Sequence, residues 1–140
     1  MPIRAAFDAA ERLLSRIFPP HWNPLLNLGA LGFFFFWIVT ASGIYVYIFF
    51  DTGVTQAYSS VEYMTRDQWY AAGLMRSFHR YASDGLVLVM LLHILREFAL
   101  GRYRGVRWFS WITGIPVLLF IYVAGISGYW LVWDKLAQYV

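Results

Sequence analysis

The stretch SFHRYASDGLVLVMLLHILREF, residues 77–98, decides the fold of this chain because it places two histidines in one mainly apolar segment. His93 follows His79 by 14 positions. At about 100° per residue, this spacing is about 40° short of four helical turns, so both side chains project from nearly the same face. At about 1.5 Å per residue, they lie about 21 Å apart along the axis. The stretch predicts one helix with an imidazole towards each end.

The composition is that of a membrane protein. Of the 140 residues, 60% are hydrophobic and 14% are charged, whereas a soluble domain has about 45–50% apolar and about 25% charged residues. These proportions exclude a soluble monomer and a disordered chain. The net charge of +3 gives no indication of nucleic-acid binding. Because the sequence contains no cysteine, disulfides, thiolate ligands, iron–sulfur clusters and covalent c-type haem attachment are excluded for this chain.

Three segments are predicted to span the membrane, at about residues 28–50, 77–100 and 109–133. The first and the third contain no Asp, Glu, Lys or Arg, and about 20 apolar residues suffice to cross a hydrocarbon core of about 30 Å. Pro116 lies near the start of the third segment, where we expect a kink. The second segment reaches spanning length only if Arg80 and Arg96 extend to the interfaces or face a protein interior.

The first twenty residues predict an amphipathic helix that lies in the membrane interface, not a signal peptide. Charged residues alternate at helical spacing with an apolar face, which comprises Ile3, Phe7, Ala10, Leu14, Ile17 and Phe18. Pro19 and Pro20 are expected to end this helix. The sequence therefore divides into an interfacial helix, residues 1–20, and a transmembrane domain, residues 21–140.

Basic residues predict the orientation of the spans. Seven lie on the side of the N-terminus, namely Arg4, Arg12, Arg16, Arg96, Arg102, Arg104 and Arg107. Four lie on the opposite side, namely Arg66, Arg76, Arg80 and Lys135. Since cytoplasmic segments carry the excess of Lys and Arg, we expect the N-terminus inside and the C-terminus outside.

The two histidines suggest haem chemistry. A lone membrane histidine is more simply explained by a hydrogen bond between helices, but two on one face favour a shared role. Neutral imidazole is an axial ligand of haem iron, and the haem propionates need cations at the membrane edge. Arg76 precedes His79 by three residues and Arg96 follows His93 by three, so each arginine lies on its histidine's side, nearer the interface. The alternative for the arginines is simple extension to the membrane surface.

The glycines repeat the spacing of the histidines. Gly29 and Gly43 in the first span are 14 positions apart, as are Gly114 and Gly128 in the third. A flat macrocycle needs helices without side chains where its faces pack, and glycine provides that clearance. Ordinary small-residue packing between membrane helices is the alternative.

These residues resemble the N-terminal part of the cytochrome b family, most closely its b-six type. The resemblance covers about residues 23–140 and rests on the stretch around the histidines, on WITG and GISGYWLVWDK, and on VTQAYSSVEYMT after the first span. It implies three helices of a four-helix haem bundle. It also implies that His79, nearer the outer side, and His93 are axial ligands of two b-type haems. By the same likeness Arg76 and Arg96 neighbour propionates, and the four glycines line the haem faces.

The chain departs from the family pattern in several places. The family's second pair of ligands lies on a fourth helix beyond the third span, and its Pro-Glu-Trp-Tyr quinol motif lies in a later segment. His21 lies at the wrong depth to replace those ligands. The cysteine that attaches an extra haem in the b-six type is absent, and Leu131-Val132-Trp133 stands in place of Leu-Pro-Trp. The missing ligands come from further sequence, from a second subunit, or from a second copy in a homodimer.

The sequence thus predicts an electron-transfer subunit with two b-type haems in a quinone-linked respiratory or photosynthetic complex. Its expected partners are other membrane subunits, redox proteins, quinone and the lipid bilayer, without nucleic acid, and its expected location is the bacterial inner membrane. Two alternatives remain open. The first is a haem-free structural or assembly subunit, and the second is a transporter component that uses Asp84 and the histidines as proton relays; a local ion pair with Arg80 equally explains Asp84.

Overall fold

The computed structural model describes residues 2–139 and is built from helices. Its α-helices are α1 Pro2–Leu14, α2 Leu28–Phe49, α3 Ala57–Arg66, α4 Leu74–Ala99 and α5 Trp108–Trp130. Short 3₁₀ turns lie at Pro20–Trp22, Gly105–Arg107 and Ala137–Tyr139, and a π turn at Trp69–Gly73 leads into α4. Over the described residues no strand occurs, as the all-helical prediction requires. Residue 1, where the first predicted domain begins, and residue 140, where the second ends, lie outside this range.

Three helix ends differ from the predicted ones by three residues or more, and the others by at most one. α1 stops at Leu14, and residues 15–18 form turns, because the residue before Pro19 is disfavoured in a helix. α4 begins at Leu74 instead of residue 77, since the π turn feeds directly into it. α5 ends at Trp130 instead of residue 133, because Trp133 has a φ of 53°, which a right-handed helix does not accept.

Small residues let α2 and α4 pack closely. A Cβ placed on Gly32 of α2 would lie 2.8 Å from Sδ of Met90, and one placed on Gly85 of α4 would lie 3.1 Å from Cε1 of Phe35. Ala82 and Leu86 of α4 are also buried. Close backbone approach of this kind is the usual basis of helix association in membranes. The packing of α2 against α4 is therefore the main helix–helix contact of the structure.

α5 is attached near both ends, since Val132, two residues after its last residue, packs against the cluster of Val61, Met64 and Ala72. Stacked and edge-to-face aromatic contacts join Phe98 at the end of α4, Tyr103 in the following turn and Trp111 of α5, with ring centroids 5.4–6.2 Å apart. None of the residues of α5 is buried, and the helix continues through Pro116. Most of the surface of α5 is consequently open to a lipid or protein neighbour.

Two helical segments, Leu28–Phe49 and Gly105–Trp130, are long and apolar enough to cross a membrane. α4 is of similar length, but it carries Arg80, Asp84 and Arg96 and is not identified as a span from length and composition. The crossing by α4 stays a prediction. Its support is that α4 packs along α2, which is itself apolar enough to cross.

Asn23 fastens α1 to the start of α2. Its side chain is fully buried, and its Nδ2 donates to the carbonyl of Glu11 at 3.2 Å and to Oγ of Ser15 at 2.9 Å. Its Oδ1 accepts a hydrogen bond from the backbone N–H of Leu25 at 3.0 Å. A buried amide whose donors and acceptor are all satisfied fixes the groups around it. α1 is thus held at its C-terminal end.

Replacing Asn23 by Ala is expected to loosen α1. The substitution removes the bond to the Glu11 carbonyl of α1 and the bond to Ser15 directly after α1, a loss of about 0.5–1.5 kcal/mol for each bond. Hydrogen exchange of the α1 amides in the intact protein should then become faster. Asn27→Ala is the matched control, because Asn27 donates to the carbonyls of His21 and Asn23 and not to α1. Equal exchange of α1 in both variants would contradict the fastening role of Asn23.

Candidate functional site: two histidines on α4

The imidazole of His79 is oriented by the backbone of α2. Its Nδ1 lies 3.0 Å from the carbonyl oxygen of Val39 and 3.3 Å from Oγ of Ser42. Ser42 itself donates to the carbonyl of Ile38 at 2.5 Å. Because a carbonyl oxygen only accepts, Nδ1 carries the proton and Nε2 keeps its lone pair. Such a bond is how proteins orient an imidazole that ligates a metal through its other nitrogen.

Glycines of α2 give both imidazoles their room. A Cβ placed on Gly43 would lie 2.9 Å from Cε1 of His79, closer than real contacts allow, and one placed on Gly29 would lie 3.5 Å from Cε1 of His93. The 14-residue spacing that these glycines share with the histidines therefore places one glycine of α2 beside each imidazole ring. Gly29 and Gly43 face the histidine rings, whereas Gly114 and Gly128 of α5 have open space within 4 Å.

His93 borders an open-sided cavity of about 400 Å³ between α4 and α5. Gly114 and Trp111 of α5 line its other wall. Nε1 of Trp111 is buried, and none of the described residues accepts its hydrogen bond. A buried N–H without an acceptor is costly, so this donor is suited to an acceptor group that enters the cavity.

Charged side chains surround the His93 end of the cavity. Arg96 is buried, and its Nε lies 2.6 Å from Oε1 of Glu11 of α1. Oε1 of Glu97 lies 3.4 Å from Nη1 of Arg96 and 2.8 Å from Nη1 of Arg102. Nη1 of Arg107 lies 3.8 Å from the second oxygen of Glu97. Three guanidinium groups and two carboxylates therefore form one cluster, of which Glu97, Arg102 and Arg107 line the same cavity as His93.

The other predicted charges lie elsewhere. Arg76 is half-buried, and its Nη1 donates to Oγ1 of Thr65 at 3.4 Å, which ties the start of α4 to α3. Asp84 is exposed, and over residues 2–139 it forms no ion pair, with Arg80 or any other cation. The structure therefore gives neither the local ion pair nor a relay geometry for Asp84.

Several site residues carried no clear signal in the sequence. Glu11 belongs to a surface helix by its pattern, and its pairing with Arg96 bridges 85 positions. Trp111 has the pattern of an interfacial aromatic, and Arg102 and Arg107 only contribute to the charge that predicts orientation. The short loop from α4 to α5 is the sequence feature that could have indicated their position, since it brings these arginines back towards Glu97.

The available side chains suit a cofactor whose metal ion is coordinated mostly by the cofactor itself. Among the described residues, no three His, Cys, Asp or Glu side chains lie close enough together to hold a metal ion. A haem iron needs only one axial donor from each side of its plane. Single histidines with a lone pair, an unpaired Trp N–H and several guanidinium groups fit such a cofactor and its carboxylates.

Comparison with known proteins identifies the family of this chain. The family model described as Cytochrome b/b6/petB matches residues 13–140. Cytochrome b6 from Prochlorococcus marinus strain NATL1A is 33% identical over 132 residues, which cover 94% of this chain and 60% of that protein. Cytochrome b6 from strain MIT 9211 has the same identity and coverage. The chain thus spans about three fifths of the length of these relatives, and it belongs to the cytochrome b family.

Proposed function

We propose that this chain transfers electrons across a membrane through two b-type haems, with His79 and His93 each supplying one axial ligand. The observation that carries the proposal is the orientation of His79, whose Nδ1 is held by the Val39 carbonyl so that Nε2 is available. Membership of the cytochrome b family supports b-type haem as the cofactor. A bound b haem supplies a reversible one-electron couple, and the chain holds and tunes it.

The chain offers different anchors at its two ends for the haem carboxylates. At the His79 end, Arg76 is the cation that the sequence predicts for this role. At the His93 end, Arg102 and Arg107 line the cavity, as does Trp111, whose buried N–H has no acceptor among the residues that the structure describes. Arg96 uses Nε and Nη1 on Glu11 and Glu97, and within residues 2–139 no bond from its Nη2 occurs. Charge-assisted hydrogen bonds from these groups would fix a propionate in place.

The second axial ligands come from outside these residues. We propose that a fourth helix, in further sequence or in a partner subunit, faces α4 and completes both sites. The open glycines Gly114 and Gly128 and the uncovered surface of α5 support a neighbour on this side. Pairing of two copies is the third arrangement, and a quinone pocket would likewise need groups from other chains or further sequence.

The proposed setting is a quinone-linked complex, respiratory or photosynthetic, in the bacterial inner membrane. Seven basic residues against four favour the N-terminus inside. In that orientation His93 lies near the inner surface and His79 near the outer one. Electrons would then pass between a site outside and a site inside, with quinone and redox proteins as exchange partners.

A haem-free assembly subunit is the competing function. It is favoured by the same hydrogen bond, because a histidine that joins α4 to the α2 backbone also stabilises a purely structural helix pair. The absorption spectrum of the purified complex distinguishes the two. Reduced b haem gives a sharp band, whereas the structural subunit gives none.

Replacing each histidine tests the ligand assignment. In the purified complex, His93→Leu should remove the inner haem while sparing much of the outer one, and His79→Leu should do the reverse, because each iron loses one axial bond. Haem content and the redox-titrated absorption band measure the loss. His21→Leu is the control, since His21 is exposed before α2. Full haem content in both α4 variants would overturn the assignment.

Gly43→Ala and Gly29→Ala form a graded pair. The new methyl would crowd His79 at 2.9 Å, whereas the one at Gly29 would meet His93 at an ordinary 3.5 Å. We expect Gly43→Ala to displace the His79 ring at a cost of about 1–3 kcal/mol and to lower the content of the outer haem. Gly29→Ala should leave the inner haem bound. Equal haem content in the two variants would contradict this role of the glycines.

A further inference from the structure

Two carboxylates hold the guanidinium group of Arg96. Nε of Arg96 lies 2.6 Å from Glu11, and its Nη1 lies 3.4 Å from Glu97. The side chain of Arg96 is only 8% exposed. Because water screens such a charge poorly, its field acts on nearby groups more strongly than that of a surface arginine. Glu11 is the acidic partner that comes from a distant part of the chain.

The charges of this cluster do not cancel. Arg96, Arg102 and Arg107 contribute three positive charges, and Glu11 and Glu97 contribute two negative ones, so the formal sum is +1. Removing the carboxylate of Glu11 would raise the sum to +2. Arg96 lies three residues, or less than one helical turn, beyond His93 on α4. The change would thus be felt at the iron ligand.

We propose that Glu11 is a positioning residue that sets the reduction potential of the inner haem by holding and partly neutralising Arg96. This inference rests on the proposed haem at His93. Reduction adds one electron to the haem, so nearby positive charge favours the reduced form and raises the potential. Glu11 opposes that effect and keeps the potential lower. α1 therefore acts on electron transfer through Arg96 and does not contact the iron.

A purely structural role for Glu11 predicts the opposite sign. If the loss of the ion pair only loosened α1, water would gain access to the His93 end. Water stabilises the oxidised haem, which carries one more positive charge, and so it lowers the potential. The direction of the shift consequently separates the two roles, and the amount of bound haem alone does not.

The test is a redox titration of the intact complex in its membrane, with the b-haem absorption as the readout. Glu11→Gln is expected to shift the potential of the inner haem upward and to leave the outer haem unchanged, because His79 lies about 21 Å away along α4. Glu11→Asp should give a smaller upward shift, since the shorter side chain weakens the ion pair. Asp8→Asn is the matched control, because Asp8 lies on the same helix and within residues 2–139 its ion pair is with Arg4, at 3.9 Å.

An upward shift of the inner haem alone supports the role of Glu11. An unchanged or lowered inner potential in Glu11→Gln overturns it, as does an equal shift in Asp8→Asn. If Glu11→Gln does not assemble, the sign of the shift in Glu11→Asp decides. A wild-type complex without two b-haem transitions would instead overturn the proposed function, so the two failures are distinguishable.

Discussion

The hydrogen bond from Nδ1 of His79 to the carbonyl of Val39 is the constraint on which the α2–α4 pair depends at this end. It requires a backbone oxygen of one helix to come within 3.0 Å of a ring on the other. That approach is possible only because Gly43 has no side chain at the contact. Packing, imidazole orientation and the free lone pair on Nε2 are therefore parts of one arrangement, and none can change without the others.

The two histidines of α4 have surroundings in which different interactions dominate. His79 is oriented by a backbone carbonyl, whereas His93 lies beside an open cavity, a buried indole N–H and a cluster of charges. Helix packing dominates the first site and electrostatics dominates the second. Two chemically identical cofactors held here would accordingly differ in redox potential. Such a difference gives electron transfer between them a preferred direction.

Residue spacing predicted the all-helical class, the placement of both histidines on one face of α4, and the alignment of Gly29 and Gly43 with them. Each of these features follows from the periodicity within a single helix. It did not predict the pairing of Glu11 with Arg96, since a contact between distant segments depends on how α1 folds back. The end of α5 was missed because the positive φ of Trp133 has no signature in residue type. The haem-binding roles of the two histidines, the two arginines and the four glycines remain predictions.

The sparse attachment of α5 has a consequence for biogenesis. With edge-to-face aromatic contacts at one end, the packing of Val132 just beyond the other and no buried residue along its length, α5 gains little stability from the rest of this chain. In a membrane, lipid covers such an apolar helix without fixing its position, so α5 depends on packing against neighbouring helices. We expect copies made in excess of their partners to be removed by membrane quality control, so the cellular amount of this subunit follows the supply of its neighbours.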